Sequence, residues 1–193
     1  MYGEKETPVS TRKKEAIFLT TKRKISPISF NVQEVDIYPQ KSLKHLGVWL
    51  DTKLTYKEHI DKTVEKAEKT MTALASLMPN TRGPRASKRK VLVSVIHSQL
   101  LYAALIWHKA IENNKLSRKL YRIQKVMGIR VCSGYRTISA EGAGVIAHIP
   151  PIEFLVKERK EKYDGADPKH CAENLMRRWQ ERWTNGKHGS WTC

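Results

Sequence analysis

Residues 91–107 are apolar almost all round, interrupted chiefly by Ser94, His97, Ser98 and Gln99. A helix without a polar face has to be buried, so this stretch predicts the centre of a helical bundle. Its neighbours supply helices to surround it. Thr55-x-x-Glu58 reads as a capping box, and Ile60, Val64, Ala67, Met71, Leu74 and Leu77 then recur at spacings of three and four through about Met78, where Pro79-Asn80 stops the helix. Gly83-Pro84 starts the central helix, with Pro84 suited to a first turn. A helix over about 115–131 carries an apolar seam of Leu116, Leu120, Ile123 and Met127. Ser139 caps a short helix through Ile146, and Pro150-Pro151 ends it and starts another with Ile152, Leu155 and Val156. That helix is expected to dissolve in the charged run 157–162, with a loop over 164–168 and a last helix over about 172–183.

Ahead of residue 52 the pattern changes to short strands. Residues 15–20 are apolar and β-favouring, Ile28, Phe30 and Val32 alternate with polar neighbours, and so do Val35 and Ile37. These lead to residues 42–51, where Leu43, Val48 and Leu50 are strand formers around Gly47. Gly47 either relieves a bulge in a packed strand or, lacking a Cβ, lets a nucleic-acid backbone come close. The resulting fold class is α+β and mostly α, with a small antiparallel sheet followed by a helical bundle. Four stretches follow: a lead-in over 1–13, strands over 14–51, a bundle over 52–132 and a second helical region over 133–193.

Charge narrows the function. Lys plus Arg number 36 against 19 Asp plus Glu, a formal net charge of +17, and the partner of such a chain is a polyanion. Nucleic acid leads, with a membrane surface as the alternative, but no apolar run reaches the ~20 residues of a membrane span. Cys132, Cys171 and Cys193 are too scattered for a disulfide framework, and the composition is that of a soluble intracellular chain. Two basic clusters stand out. Arg82, Arg85, Lys88, Arg89 and Lys90 open the central helix and are expected to project from the bundle. Lys115, Arg118, Lys119, Arg122 and Lys125 lie on the exposed side of the 115–131 helix with almost no acids among them, which favours phosphate contact over an ordinary mixed-charge surface. Tyr121 on that helix either stacks on a base or covers the seam. Trp179, Trp183 and Trp191 near Arg177, Arg178 and Arg182 suit base stacking, yet tryptophans four apart share a face that packs inward.

Catalytic chemistry is not evident. Asp36, Asp51, Asp61, Asp164 and Asp167 contain no adjacent pair to hold two metal ions. His170, Cys171, His188 and Cys193 match no zinc-site spacing, and His97 and His108 read as hydrogen-bonded structural histidines. No metal site and no cofactor are expected in this chain.

Several segments in order carry a resemblance. Lys13-Lys14-Glu15-Ala16-Ile17, Lys44-His45-Leu46-Gly47-Val48-Trp49-Leu50-Asp51, Tyr56-Lys57-Glu58-His59-Ile60, Leu101-Tyr102 with Trp107, Ile123-Gln124-Lys125, and Tyr135-Arg136-Thr137-Ile138-Ser139 followed by Ile149-Pro150-Pro151 resemble the reverse transcriptases of non-LTR retrotransposons. The nearest likeness is to the arthropod ribosomal-DNA-inserting and jockey-like groups. It runs over roughly residues 10 to 191, including Trp179, Trp183, Gly189 and Trp191, although His45, Lys14 and Tyr56 replace the usual tyrosine, threonine and tryptophan.

The resemblance implies that residues 14–51 are the last palm strands, with Lys44, His45, Leu46, Gly47 and Val48 in a primer-grip-like motif. The helices beyond would be a thumb and the start of a C-terminal domain, and Lys13 would be a palm lysine that protonates leaving pyrophosphate. Partners would be an RNA template and a DNA primer or target in the nucleus, with Mg2+ serving the intact polymerase. The family's Ala-Asp-Asp motif would lie upstream of Met1 and its zinc knuckle downstream of Cys193, so this chain alone is not expected to polymerise DNA. A stand-alone basic nucleic-acid-binding module and an inert translated fragment are the rival expectations.

Overall fold

The computed structural model describes residues 15–22, 29–32, 35–79 and 82–186; Lys13, Lys14, Ile28, His188, Gly189, Trp191 and Cys193 lie outside them. The chain divides into two units, Met1–Leu54 and Thr55–Cys193. Helix dominates, beside two small antiparallel sheets.

Among the described residues of the first unit each sheet is a two-stranded antiparallel pair. β1 (Phe30–Val32) pairs with β2 (Val35–Ile37), and Asn31 donates to the Asp36 carboxylate across the pair at 2.8 Å. β3 (Ser42–His45) pairs with β4 (Val48–Asp51) in the register Leu43↔Leu50 and His45↔Val48. Residues 15–20 do not form the expected strand. They contribute one parallel bridge, Ile17 to Gln40, with the Gln40 amide on the Ala16 carbonyl at 2.8 Å and the Thr20 amide on the Thr52 carbonyl at 3.0 Å. The expected continuous strand at 42–51 is corrected too. Leu46 and Gly47 take φ of +46° and +84°, the positive pair that a two-residue hairpin turn with the twist of its strands requires. Gly47 therefore turns the chain instead of relieving a bulge within a strand. Leucine gains nothing from a left-handed backbone, so Leu46 is strained, and its side chain stands 80% exposed at the tip.

Among the described residues the second unit is a bundle of seven helices: α1 (Lys57–Ala75), α2 (Ala86–Leu100), α3 (Ala104–Trp107), α4 (Asn114–Cys132), α5 (Ala140–Ala147), α6 (Ile152–Tyr163) and α7 (Pro168–Thr184), with a 3₁₀ turn at His108–Glu112. α4 is its hub, packing against α1, α2, α5 and α6. Its seam of Leu116, Leu120, Ile123, Met127 and Val131 is buried as the spacing predicts. Gly128 lets α5 approach, since a Cβ there would lie 3.0 Å from the Ala143 carbonyl oxygen. The expected hub, residues 91–107, is not one continuous helix. Ala103 turns left-handed at φ +50°, the axis bends by 54°, and Val91, Val95, Tyr102 and Ile106 are exposed while Val93, Ile96, Leu100 and Trp107 face the core. No single described helix is long and apolar enough to cross a membrane.

Helix ends depart from the sequence reading where local chemistry competes. α1 starts behind Tyr56, which is left-handed, one residue past the expected Thr55, and Thr55 Oγ1 accepts from the Lys57 amide at 3.5 Å. α1 ends at Ala75, and Met78 rather than the exposed Leu77 fills the core. α6 does not dissolve in its charged run: Glu158 pairs with Lys162 at 2.6 Å, Lys160 pairs with Asp164, and Arg178 of α7 reaches Glu161 at 2.7 Å. α7 begins earlier than expected, because Asp167 caps it by accepting from the His170 amide at 3.0 Å and Pro168 suits its first turn. Ser139 caps α5 as expected, accepting from the Gly142 amide at 2.9 Å.

Candidate nucleic-acid interface

Along α4 the cations Lys115, Arg118, Arg122 and Lys125 follow one another at spacings of three and four, and Arg130 lies about two turns beyond Arg122. From Lys115 to Arg130 this row is ~22 Å long at 1.5 Å per residue. Arg136, in the loop after α4, carries it onward. Among the described residues none of these six enters an ion pair. Lys119 does: it is tied to Asp61 of α1. The row is also set against the helix dipole. α1, α5 and α6 each carry a glutamate in the first turn, whereas α2 and α4 carry none and place cations there. A cation at that end costs about 0.3–1 kcal/mol at low salt, so stability alone does not account for the arrangement.

The second basic cluster is corrected at one member and joined to the first by it. Arg89 is not a projecting cation; it is 3% exposed. Its guanidinium donates to three backbone carbonyls, from Nε to Pro84 at 2.7 Å, from Nη2 to Pro79 at 2.6 Å and from Nη1 to Arg130 at 3.1 Å. Gly83 makes room for this clamp, because a Cβ there would collide with the Pro79 carbonyl. The clamp fastens Pro79 and the 82–85 segment ahead of α2 to the C-terminal turn of α4. The exposed Arg82, Arg85, Lys88 and Lys90 therefore belong to the end of the bundle where the α4 row finishes. Arg89 shares a helix face with Val93, Ile96 and Leu100 at i+4, i+7 and i+11, a signal already present in the sequence.

Family models, curated proteins and solved structures offer no match to this chain.

Behind the row, α4 is held by a second clamp. Gln124 is 5% exposed; its amide nitrogen donates to the Pro150 carbonyl at 2.7 Å and its amide oxygen accepts from the Ile152 amide at 2.8 Å. Those bonds fix the orientation of the side-chain amide, so the nitrogen is what faces His97 Nε2, at 3.3 Å. His97 Nε2 is thus an acceptor. Burial, with Arg159 nearby, pushes the His97 pKa down to about 4. Since the folded value lies below the ordinary 6.5, this term is complete above pH 6.5 and is lost as the pH falls toward 4. We expect chemical denaturation to show a loss of about 2 kcal/mol between pH 7 and pH 5, removed in His97→Gln; equal losses in both proteins would contradict it.

Tyr121 is half-buried against α5 and α7 and does not project outward from α4. Its hydroxyl donates to Glu141 of α5 at 2.6 Å, and Arg182 of α7 lies over its ring at 5.4 Å and over Phe154 at 5.8 Å while pairing with Glu153. Burial first, and the Glu141 carboxylate second, push the Tyr121 hydroxyl well above its usual range. Trp179 and Trp183 are half-buried beside this cluster, with Arg177 on Glu181 and Arg178 on Glu161, while Trp191 lies outside the described residues. His108 has Nδ1 2.7 Å from the Leu105 carbonyl.

In the first unit Lys44, His45, Leu46 and Gly47 are exposed around the β3–β4 turn, whereas Val48 is buried. Sequence reasoning missed Arg130 and Arg136, which fall outside both runs of clustered charge. Among the described residues no group of three or more His, Cys, Asp or Glu side chains is placed to hold a metal ion.

Proposed function

We propose that this chain is the palm end and thumb of a reverse transcriptase of the non-LTR retrotransposon kind, its helical unit gripping an RNA–DNA hybrid. The observation that carries the reading is the row of unpaired cations on α4, continued past the Arg89 clamp to the start of α2. Phosphate neutralisation by such a row releases counterions and binds without regard to base sequence, which suits an element that must slide along product. The segments that carry the resemblance also meet one another. Gln124 bonds to the Pro150-Pro151 turn, Trp107 Nε1 donates to the Tyr102 carbonyl at 2.8 Å, and the His59 and Trp107 rings lie 6.2 Å apart.

In this reading Arg82, Arg85, Lys88, Lys90, Lys115, Arg118, Arg122 and Lys125 hold the backbone of the hybrid, with Lys119 shared with Asp61. Lys44 and His45 touch the primer from the β3–β4 turn. Partners are an RNA template and a DNA primer in the nucleus. Magnesium would serve the intact polymerase; among the described residues no group of three or more His, Cys, Asp or Glu side chains is placed to hold it. The reading is tested by competition among equal-length RNA–DNA hybrid, single-stranded RNA and heparin. The grip predicts preference for the hybrid; equal competition by all three polyanions would contradict it.

One observation favours a second reading, a stand-alone nucleic-acid-binding module: the helical unit has a core of its own, running from Ile60 through Val156. Preference for the hybrid over an equal-length DNA duplex separates the two, because a generic basic module has no reason to distinguish A-form hybrid from other duplexes.

A further inference from the structure

Where the α4 row ends, the surface opens into a groove of about 540 Å3 lined by Lys125, Val126, Ile129, Arg130, Tyr135 and Arg136. The volume is in the range of pockets that hold small organic ligands. Three features give it a chemical character. Lys125, Arg130 and Arg136 bring three positive charges to its walls, and none is in an ion pair among the described residues. Val126 and Ile129 make an apolar floor. Tyr135 stands 87% exposed, and its ring touches no other ring among the described residues.

That tyrosine is held outward by its loop. Ser133 ends α4 in the left-handed conformation at φ +54°, the Gly134 amide returns to the Ile129 carbonyl at 3.0 Å, and the Ile138 amide closes a turn on the Tyr135 carbonyl at 3.2 Å. An aromatic residue presented this way meets the face of a base only if the base has left its duplex, because paired bases stack on one another. Cations beside it meet the phosphate of the same nucleotide, and the Arg89 guanidinium on the Arg130 carbonyl offsets the negative end of the α4 dipole there.

We propose that this groove is a subsite for an unpaired nucleotide, its base stacked on Tyr135 and its phosphate on Arg130 and Arg136, at the single-stranded end of a bound duplex. The proposal rests on the nucleic-acid grip argued above and adds a place where the strand leaves the duplex. The test uses the full chain and a hybrid duplex that is blunt or carries a short single-stranded extension with 2-aminopurine as its first unpaired base. The extended hybrid should bind at least about fivefold more tightly than the blunt one, with 2-aminopurine fluorescence quenched on binding. Tyr135→Leu should abolish both differences while leaving blunt-hybrid affinity unchanged, and Tyr135→Phe should retain them. Equal affinity for blunt and extended hybrids, or loss of blunt affinity in Tyr135→Leu, would overturn the subsite while leaving the α4 grip in place. No salt-dependent binding of either duplex would overturn the grip and the subsite together.

Discussion

Arg89→Ala should destabilise the helical unit by about 3–4 kcal/mol, although Arg89 looks in the sequence like one more surface cation. The residue is buried, and its three hydrogen bonds satisfy carbonyls of Pro79, Pro84 and Arg130 that belong to three turns of chain. Truncation leaves those acceptors without the guanidinium and opens a gap between the 82–85 loop and α4. Lysine does not rescue this. Its ammonium keeps the charge but has no planar fork to reach three separated oxygens, so Arg89→Lys should recover less than half of the loss. A functional consequence follows from the same geometry. Freed from α4, the loop no longer holds Arg82 and Arg85 at the end of the cationic row, and hybrid affinity should fall even though Arg89 itself touches no phosphate. Urea denaturation of the alanine variant checks the first part; a loss under 1 kcal/mol would show that the clamp is dispensable.

Gln124→Ala should cost about 3 kcal/mol, for a related reason. The side chain bridges the Pro150 carbonyl and the Ile152 amide, so one residue of α4 satisfies both sides of the turn between α5 and α6. Removing it leaves a buried donor and a buried acceptor unpaired, each costing roughly 1–3 kcal/mol. Gln124→Glu distinguishes this account from simple loss of packing. A carboxylate would oppose the Pro150 carbonyl, yet it would offer the His97 ring a negative partner in place of an amide donor. The His97 pKa should then rise from its low position toward the ordinary range, which ring-proton NMR over a pH series reads directly. An unchanged His97 titration in Gln124→Glu would mean that the 3.3 Å contact does not set the state of the ring.

Both clamps were present in the sequence as phase. Arg89 falls on the Val93, Ile96, Leu100 face and Gln124 on the Leu120, Met127, Val131 face, so a strict helical wheel marks each as buried despite its polarity. Grouping Arg89 with the cations around it hid that phase. The α4 seam and the Ser139 cap were legible because they depend only on local spacing and one side chain. The break at Ala103 was not, since an apolar run gives no sign of which residue will turn left-handed, and Val91 and Val95 are exposed because they lie off the Val93, Ile96 and Leu100 face of α2. The β3–β4 turn was hidden for a different reason. Asparagine or glycine ordinarily marks the first turn position, and Leu46 occupies it here at a conformational cost. For the cationic surface, the sequence placed the Lys115 to Lys125 cluster on one face, but Asp61 lies 58 residues from Lys119 and only the fold brings them together. Arg130 joined the row by helix phase within α4 and Arg136 by the loop that follows it, outside the dense charge runs that drew attention.

The claim that α4 is the phosphate-contacting surface is tested most directly by the salt dependence of hybrid binding in the native chain and in a variant with Lys115, Arg118 and Arg122 all changed to alanine. These three side chains are exposed and make no ion pair among the described residues, so their removal should leave the thermal transition in place. Each phosphate contact contributes about 0.9 to the slope of log affinity against log salt, so the variant should show a slope shallower by about 2.7 and weaker binding at low salt. An unchanged slope would contradict the account and move the binding surface off α4.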